Sequence, residues 1–188
     1  MFIYNKEGKM SDPIEIDDAI ILLIGSGSPK NPGGSLSGIT RLEKLIFLLE
    51  RETNSKNWLD QDADFEAYNF GPFSQKIYQA VDTLGAAGLL LDSSKESSDT
   101  TDSWEQREGI GLNPDPYSTR DFQLTDRGWR YFNALSGELS KDALDELRDF
   151  KNQFVNLPLR QLIRYVYMKY DNFTTKSIIR DEVLGDRA

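Results

Sequence analysis

The hydrophobic pattern is clearest between Asp64 and Leu91. Tyr68 and Phe70 alternate as on a strand, and Gly71-Pro72 is expected to break it. Ser74 suits an N-cap, and Ile77, Ala80, Val81 and Leu84 follow at i, i+3, i+4 and i+7, one face of a helix. Residues 74–87 therefore read as an amphipathic helix. Gly88 suits the left-handed position that ends it, and Leu89 to Leu91 continue as a buried strand. A long polar stretch follows, and Phe122 and Leu124 alternate as a returning strand. Helix, strand, long hairpin and strand is the order that ends a winged helix-turn-helix.

Upstream, Ser11 or Asp12 suits a cap and Pro13 a first helical turn. The run Ala19 to Ile24 fits a buried helix or a strand, and the caps before it favour helix. Residues 25–38, rich in Gly, Pro and Ser, read as a loop. A flexible connector is favoured there over a phosphate cradle, because neither a P-loop nor a complete GxGxxG is present. Residues 40–52 form a second helix, with Leu42, Leu45, Ile46 and Leu49 as its stripe and Arg41, Glu43, Lys44, Glu50 and Arg51 on the opposite face. Trp58 and Leu59 anchor the polar stretch 53–63.

Downstream, Thr125 caps a helix carrying Trp129, Phe132 and Leu135, which Gly137 ends. Ser140 opens another with Ala143, Leu144, Leu147, Phe150 and Phe154 inward, and Pro158 a third with Leu159, Leu162, Ile163, Val166 and Tyr170. Ser177 caps a last short helix with Ile178, Ile179 and Val183. The fold class expected is α+β, mostly helical: a flexible N-terminus (1–11), a winged helix-turn-helix core (12–139) with a long wing (92–120), and a C-terminal helical extension (140–188).

Composition narrows the chemistry. Neither Cys nor His occurs in the 188 residues, which removes disulfides, cysteine zinc sites and every Ser-His or Cys-His pair. The longest apolar run is six residues, far too short to span a bilayer, and the N-terminus lacks the layout of a signal peptide, so a cytoplasmic protein without membrane contact is expected. Asp64-Phe65-Glu66 has the acidic pair of some metal-dependent nucleases but not the Lys that follows it, and Asp126-Arg127 is ordinary capping chemistry. No enzymatic activity, cofactor or metal is expected.

Net charge is −9, the opposite of a DNA-gripping domain. Residues 140–188 hold nine Lys/Arg against eight Asp/Glu, so the acidic excess lies in the first 139. Within 92–115, seven carboxylates face Lys95 and Arg107.

Four stretches carry a resemblance: RLEKLIFLLE at 41–50, YNFGPFSQKIYQAVDTLGAAGLL at 68–90, FQLTDRGW at 122–129 and LRQLIRYVYMKYDNFTTKSII at 159–179. Their order resembles the YwgA-like proteins, which are similar to the Panacea domain of SocA-type antitoxins and to the C-terminal domain of DarG antitoxins. Leu42, Lys44, Leu45, Phe47 and Leu48 match the first family motif, and Phe70 to Ser74 the aromatic-Gly-Pro-aromatic-Ser turn. Leu124, Thr125 and Gly128 match the third motif, and Tyr167, Tyr170 and Ser177 the last. The long acidic wing departs from the pattern, as does Asp171, where the family often has Pro. The resemblance implies a winged helix without catalytic residues that binds a cognate toxin or DNA.

The outer face of helix 74–87 offers Gln75, Lys76, Gln79, Asp82 and Thr83. A DNA reader needs several cations to meet phosphates, and one Lys offset by one Asp falls short, although the two Gln could read adenine. The acidic wing suits a different task. Carboxylates spaced along a loop resemble a phosphate backbone and could fill the basic groove of a nucleic-acid-directed enzyme. Asp99, Asp102, Glu105 and Glu108 would supply the charge and Trp104 an aromatic anchor. The competing account is a solvated loop. Arg160, Arg164, Lys169, Lys176 and Arg180 are expected to pair with surface carboxylates. The expected function is a non-enzymatic, antitoxin-like module for a protein partner, the candidate being a cognate toxin that acts on nucleic acid. Its candidate partner-binding residues are Gln75, Lys76, Gln79, Thr83, Asp99, Asp102, Trp104, Glu105 and Glu108. The alternative is a DNA-binding transcriptional regulator.

Overall fold

A computed structural model describes residues 13–27, 32–93 and 120–185. Asp99, Asp102, Trp104, Glu105 and Glu108 lie outside the described residues, as do the N-terminal segment 1–11 and nearly all of the wing.

The first helix, α1 (Ile16–Gly25), is enclosed almost all round, with Ala19 to Ile24 fully buried. It starts later than its upstream caps predict. Ile14 is held in a parallel bridge to Leu59, so Pro13 stays outside the helix. The start is a capping box between Glu15 and Asp18. The loop after α1 contains a strand that the sequence pattern does not predict, β1 (Ser35–Ser37).

At the centre is α2 (Ile39–Glu52). Its residues from Ile39 to Leu49 are all buried, including Arg41, Glu43 and Lys44, which were expected on a wet face. The physical reason is position: α1, the β2–β3 hairpin and two C-terminal helices pack around it. A 3₁₀ turn (Ser55–Asn57) leads to that hairpin, β2 (Glu66–Tyr68) and β3 (Gly71–Phe73). Gly71-Pro72 does not end the strand. It lies in β3, with Pro72 opposite Ala67, and the chain reverses earlier, at Asn69-Phe70.

Next comes α3 (Gln75–Ala86), capped by Ser74, whose Oγ accepts from the Ile77 N–H at 3.4 Å. Gly88 takes φ 69°, as a left-handed stop requires. β4 (Leu90–Asp92) and β5 (Asp121–Leu124) pair antiparallel, and β1 pairs with the other side of β5, giving the order β1-β5-β4. Leu90 is buried and Leu91 exposed, so β4 alternates instead of being wholly buried.

Four helices follow among the described residues. α4 (Asp126–Glu138) starts at Thr125, which accepts the Gly128 N–H at 2.9 Å, and runs past Gly137. α5 (Lys141–Phe154) starts at Ser140, which accepts from Ala143 at 3.2 Å. α6 (Leu159–Lys169) follows Pro158. After a 3₁₀ turn (Asp171–Thr174), α7 (Arg180–Leu184) begins later than a Ser177 cap predicts, and Ile178 is exposed. The protein is thus α+β and mostly helical, with two small antiparallel sheets and one continuous hydrophobic core from Ile14 to Val183 among the described residues. Among the described residues, no helix is long and apolar enough to cross a membrane.

Candidate partner-binding surface

The amphipathic pattern of α3 sets its two faces. Ile77, Tyr78, Ala80, Val81 and Leu84 point into the core, and Gln75, Gln79, Asp82 and Thr83 are exposed. The structure thus gathers the three uncharged sequence candidates on one face. The Thr83 hydroxyl donates back to the Gln79 carbonyl at 2.9 Å.

Lys76 is engaged by its own chain in this arrangement. Its Nζ lies 2.5 Å from Asp64 Oδ2 and donates to the Asp62 carbonyl at 2.8 Å. The second cation beside the face, Arg120, went unpredicted. It donates to Asp82 at 2.6 Å and to Asp92 as well, joining the middle of α3 to the end of β4. Only tertiary structure brings these residues together; no spacing in the sequence signals it. Around Lys76 and Arg120 stand Asp62, Asp64, Asp82 and Asp92, so carboxylates outnumber cations beside the helix.

A second feature makes the surface more negative than the sequence. Among the described residues three cations are buried, and each serves the protein's own backbone. Arg41 donates to the Val155 and Leu157 carbonyls at 3.1 and 2.6 Å, closing the end of α5. Lys151 donates to the Ile24 and Ser26 carbonyls at 2.8 and 2.6 Å, closing the end of α1, where a cation complements the helix dipole. Burial pulls its pKa down to about 8. Lys44 donates to the Pro72 carbonyl at 2.7 Å. The one buried carboxylate among the described residues is Glu43, 3.6 Å from Lys44 and accepting the Ser74 N–H at 3.1 Å. Burial raises its pKa, and Lys44 opposes that rise. With three cations and one carboxylate withdrawn, the remaining charge is two units more negative than the −9 of the whole chain.

The C-terminal cations behave differently from expectation. Arg160 and Arg164 donate to the Glu182 and Val183 carbonyls of α7, at 2.9 and 3.2 Å, and Arg180 donates to the Thr174 hydroxyl at 3.1 Å. Among the described residues, only Lys169 of the five pairs with a carboxylate, Glu52 at 2.9 Å. The chain offers these arginines nearby backbone acceptors at the ends of short elements, which a count of charges does not reveal.

Motif residues far apart in sequence meet behind α3. Lys44 reaches Pro72, the Tyr167 ring lies against Gly71, and the Tyr167 hydroxyl bonds Ser177 at 2.8 Å. The Ile178 N–H donates to the Asn69 carbonyl at 2.9 Å. Gly71 has φ 88°, and a Cβ there would lie 2.6 Å from the Tyr167 ring, so glycine is required twice over. These contacts fix the hairpin from which α3 springs.

Scanned against models of known protein families, the chain matches none, and no curated protein matches it.

Proposed function

We propose that this chain is a winged helix of the YwgA-like, Panacea kind. It acts without catalysis as an antitoxin-like module, holding a nucleic-acid-directed protein partner through an acidic, DNA-mimicking surface. The strand order β1-β5-β4, with α3 immediately before β4, supports the winged-helix reading. In that arrangement the residues joining β4 to β5 are the wing, and α3 is the presenting helix.

The observation that carries the functional reading is the engagement of the cations. A DNA-binding winged helix needs exposed Lys and Arg on its presenting helix. Here Lys76 and Arg120 are each held by carboxylates, and Arg41, Lys44 and Lys151 are buried on carbonyls. The acidic sequence of residues 92–115 follows α3 and β4 in the chain. A partner with a basic groove fits such a surface, and complementary charge speeds encounter.

The rival is a DNA-binding regulator, favoured by the exposed Gln75 and Gln79, which could read adenine. Titrating labelled duplex DNA with the protein at two salt concentrations separates the two. The proposal expects no saturable binding at either. Tight binding that weakens steeply with salt would establish the regulator instead.

A further inference from the structure

We propose that Glu66, Tyr68 and Phe73, on the hairpin that launches α3, form a docking site for an arginine side chain of the protein partner. The site rests on the reading of that partner as a basic protein, and names one side chain the partner offers. In the β2–β3 hairpin Glu66 lies directly opposite Phe73, and Tyr68, two residues on, shares that face of β2. Glu66 and Tyr68 are exposed while Ala67 between them is half-buried, so this face meets solvent. The Tyr68 ring packs on Phe73 with 5.0 Å between centroids, and Phe73 packs on Tyr78 of α3 at 5.4 Å. Tyr78 is buried and Tyr68 is 43% exposed, so the aromatic row is anchored at its inner end and open at its outer end.

The same chemistry occurs elsewhere in the chain with a cation in place. At the end of α2, Glu52 accepts from the Tyr165 and Tyr170 hydroxyls at 2.8 and 2.9 Å. Lys169 completes that group: its Nζ lies 2.9 Å from Glu52, and 5.4 and 5.9 Å from the two ring centroids. Arg51 lies over the Phe47 and Phe173 rings, at 4.9 and 5.3 Å. Two aromatic pairs of this protein thus hold a cation, one of them together with a carboxylate. Glu66, Tyr68 and Phe73 likewise present a carboxylate and two rings, and among the described residues no cation pairs with them. Lys76, on the first turn of α3, is drawn instead to Asp64 and the Asp62 carbonyl.

Arginine fits this group better than lysine. Its planar guanidinium can stack on the open Tyr68 ring while its edge donates two N–H bonds to the Glu66 carboxylate. An ammonium is a compact, strongly hydrated charge with no flat face to lay on a ring. Asp62, Asp64 and Glu66 stand at alternate positions against the single Lys76, which leaves the approach to the hairpin negative. Tyr and Arg are also the residue types that carry most of the energy at protein interfaces.

The test is an NMR titration of the protein, its aromatic rings isotope-labelled, with hexa-arginine peptide in about 0.15 M salt, where loose surface pairing is screened. The Tyr68 and Phe73 ring resonances are expected to shift saturably, and Tyr68→Phe to bind as the wild type does. Affinity read at the Phe73 ring is expected to fall about two- to fivefold in Tyr68→Leu, in Glu66→Gln, and when hexalysine replaces hexa-arginine. Rings that stay unmoved would overturn the site, and equal binding of hexalysine would overturn its assignment to arginine. If a single-stranded oligothymidylate moves these rings and the peptide does not, the row is a base-stacking platform and the proposal fails. The peptide stands in for the partner, so a negative result here leaves the acidic-surface reading untouched, and co-purification tests that reading separately.

Discussion

Lys44 Nζ donates to the Pro72 carbonyl oxygen at 2.7 Å, from the middle of the central helix to the strand that launches α3. Lys44 is 1% exposed, and its companion Glu43 accepts from Ser74, two residues beyond Pro72. Neighbouring side chains on α2 thus grip both sides of the junction between β3 and α3. Replacing one member of such a pair leaves the other buried without its counter-charge. Lys44→Met is therefore expected to destabilise the protein by about 3 kcal/mol in urea unfolding, and Glu43→Gln/Lys44→Met by less than the sum of its single variants. Strict additivity would show that the two side chains act independently.

Gly71 is the next point of attachment. Gly71→Ala adds a methyl at φ 88° against the Tyr167 ring, and a loss of about 1–3 kcal/mol is expected in the same unfolding assay. Adding Tyr167→Leu to Gly71→Ala relieves the ring clash but not the backbone strain, so the double variant should recover only part of the loss, measured against Tyr167→Leu alone.

Much of this was legible in the sequence, and the reasons are local. Ser74, Thr125 and Ser140 stand immediately before apolar stripes, and each accepts the expected backbone N–H. Gly88 ends α3 because a short-range rule governs it. The failures share a different cause. Arg41, Glu43 and Lys44 read as a wet face because a 3.6-residue stripe assumes one exposed side, and α2 has none at that level. β1, at Ser35–Ser37, is three residues long and gains its identity only by pairing with β5. Arg120 clamps Asp82 and Asp92 across 38 and 28 positions, which no local pattern encodes.

That clamp leads to a third prediction. Asp82 is exposed, but Arg120 and Asp92 are both largely buried, so Arg120→Ala is expected to cost about 1–3 kcal/mol. It also has an electrostatic effect. It removes a cation beside α3, and the rate of association with a basic protein should rise at low salt while the fold, followed by circular dichroism, stays unchanged. A slower association would contradict the acidic-surface account.

Lys151 supplies a prediction in alkali. Its folded pKa, about 8, lies below the ordinary 10.5, so between those values the unfolded chain holds a proton that the native protein has released. Stability from this group therefore rises with pH across that window, by up to about 1.4 kcal/mol per pH unit. Subtracting the pH profile of Lys151→Met from that of the wild type isolates the slope. A difference that is flat from pH 8 to pH 10 would show that the amine is not desolvated.

The central claim is that a basic, nucleic-acid-directed protein binds the acidic surface around α3 and residues 92–115. The most direct measurement is co-purification with the protein encoded beside this chain, comparing the wild type with Asp99→Asn/Asp102→Asn/Glu105→Gln/Glu108→Gln at equal expression and folding. The account predicts a stable complex with the wild type that is lost in the neutralised variant. A complex that survives neutralisation unchanged would contradict it.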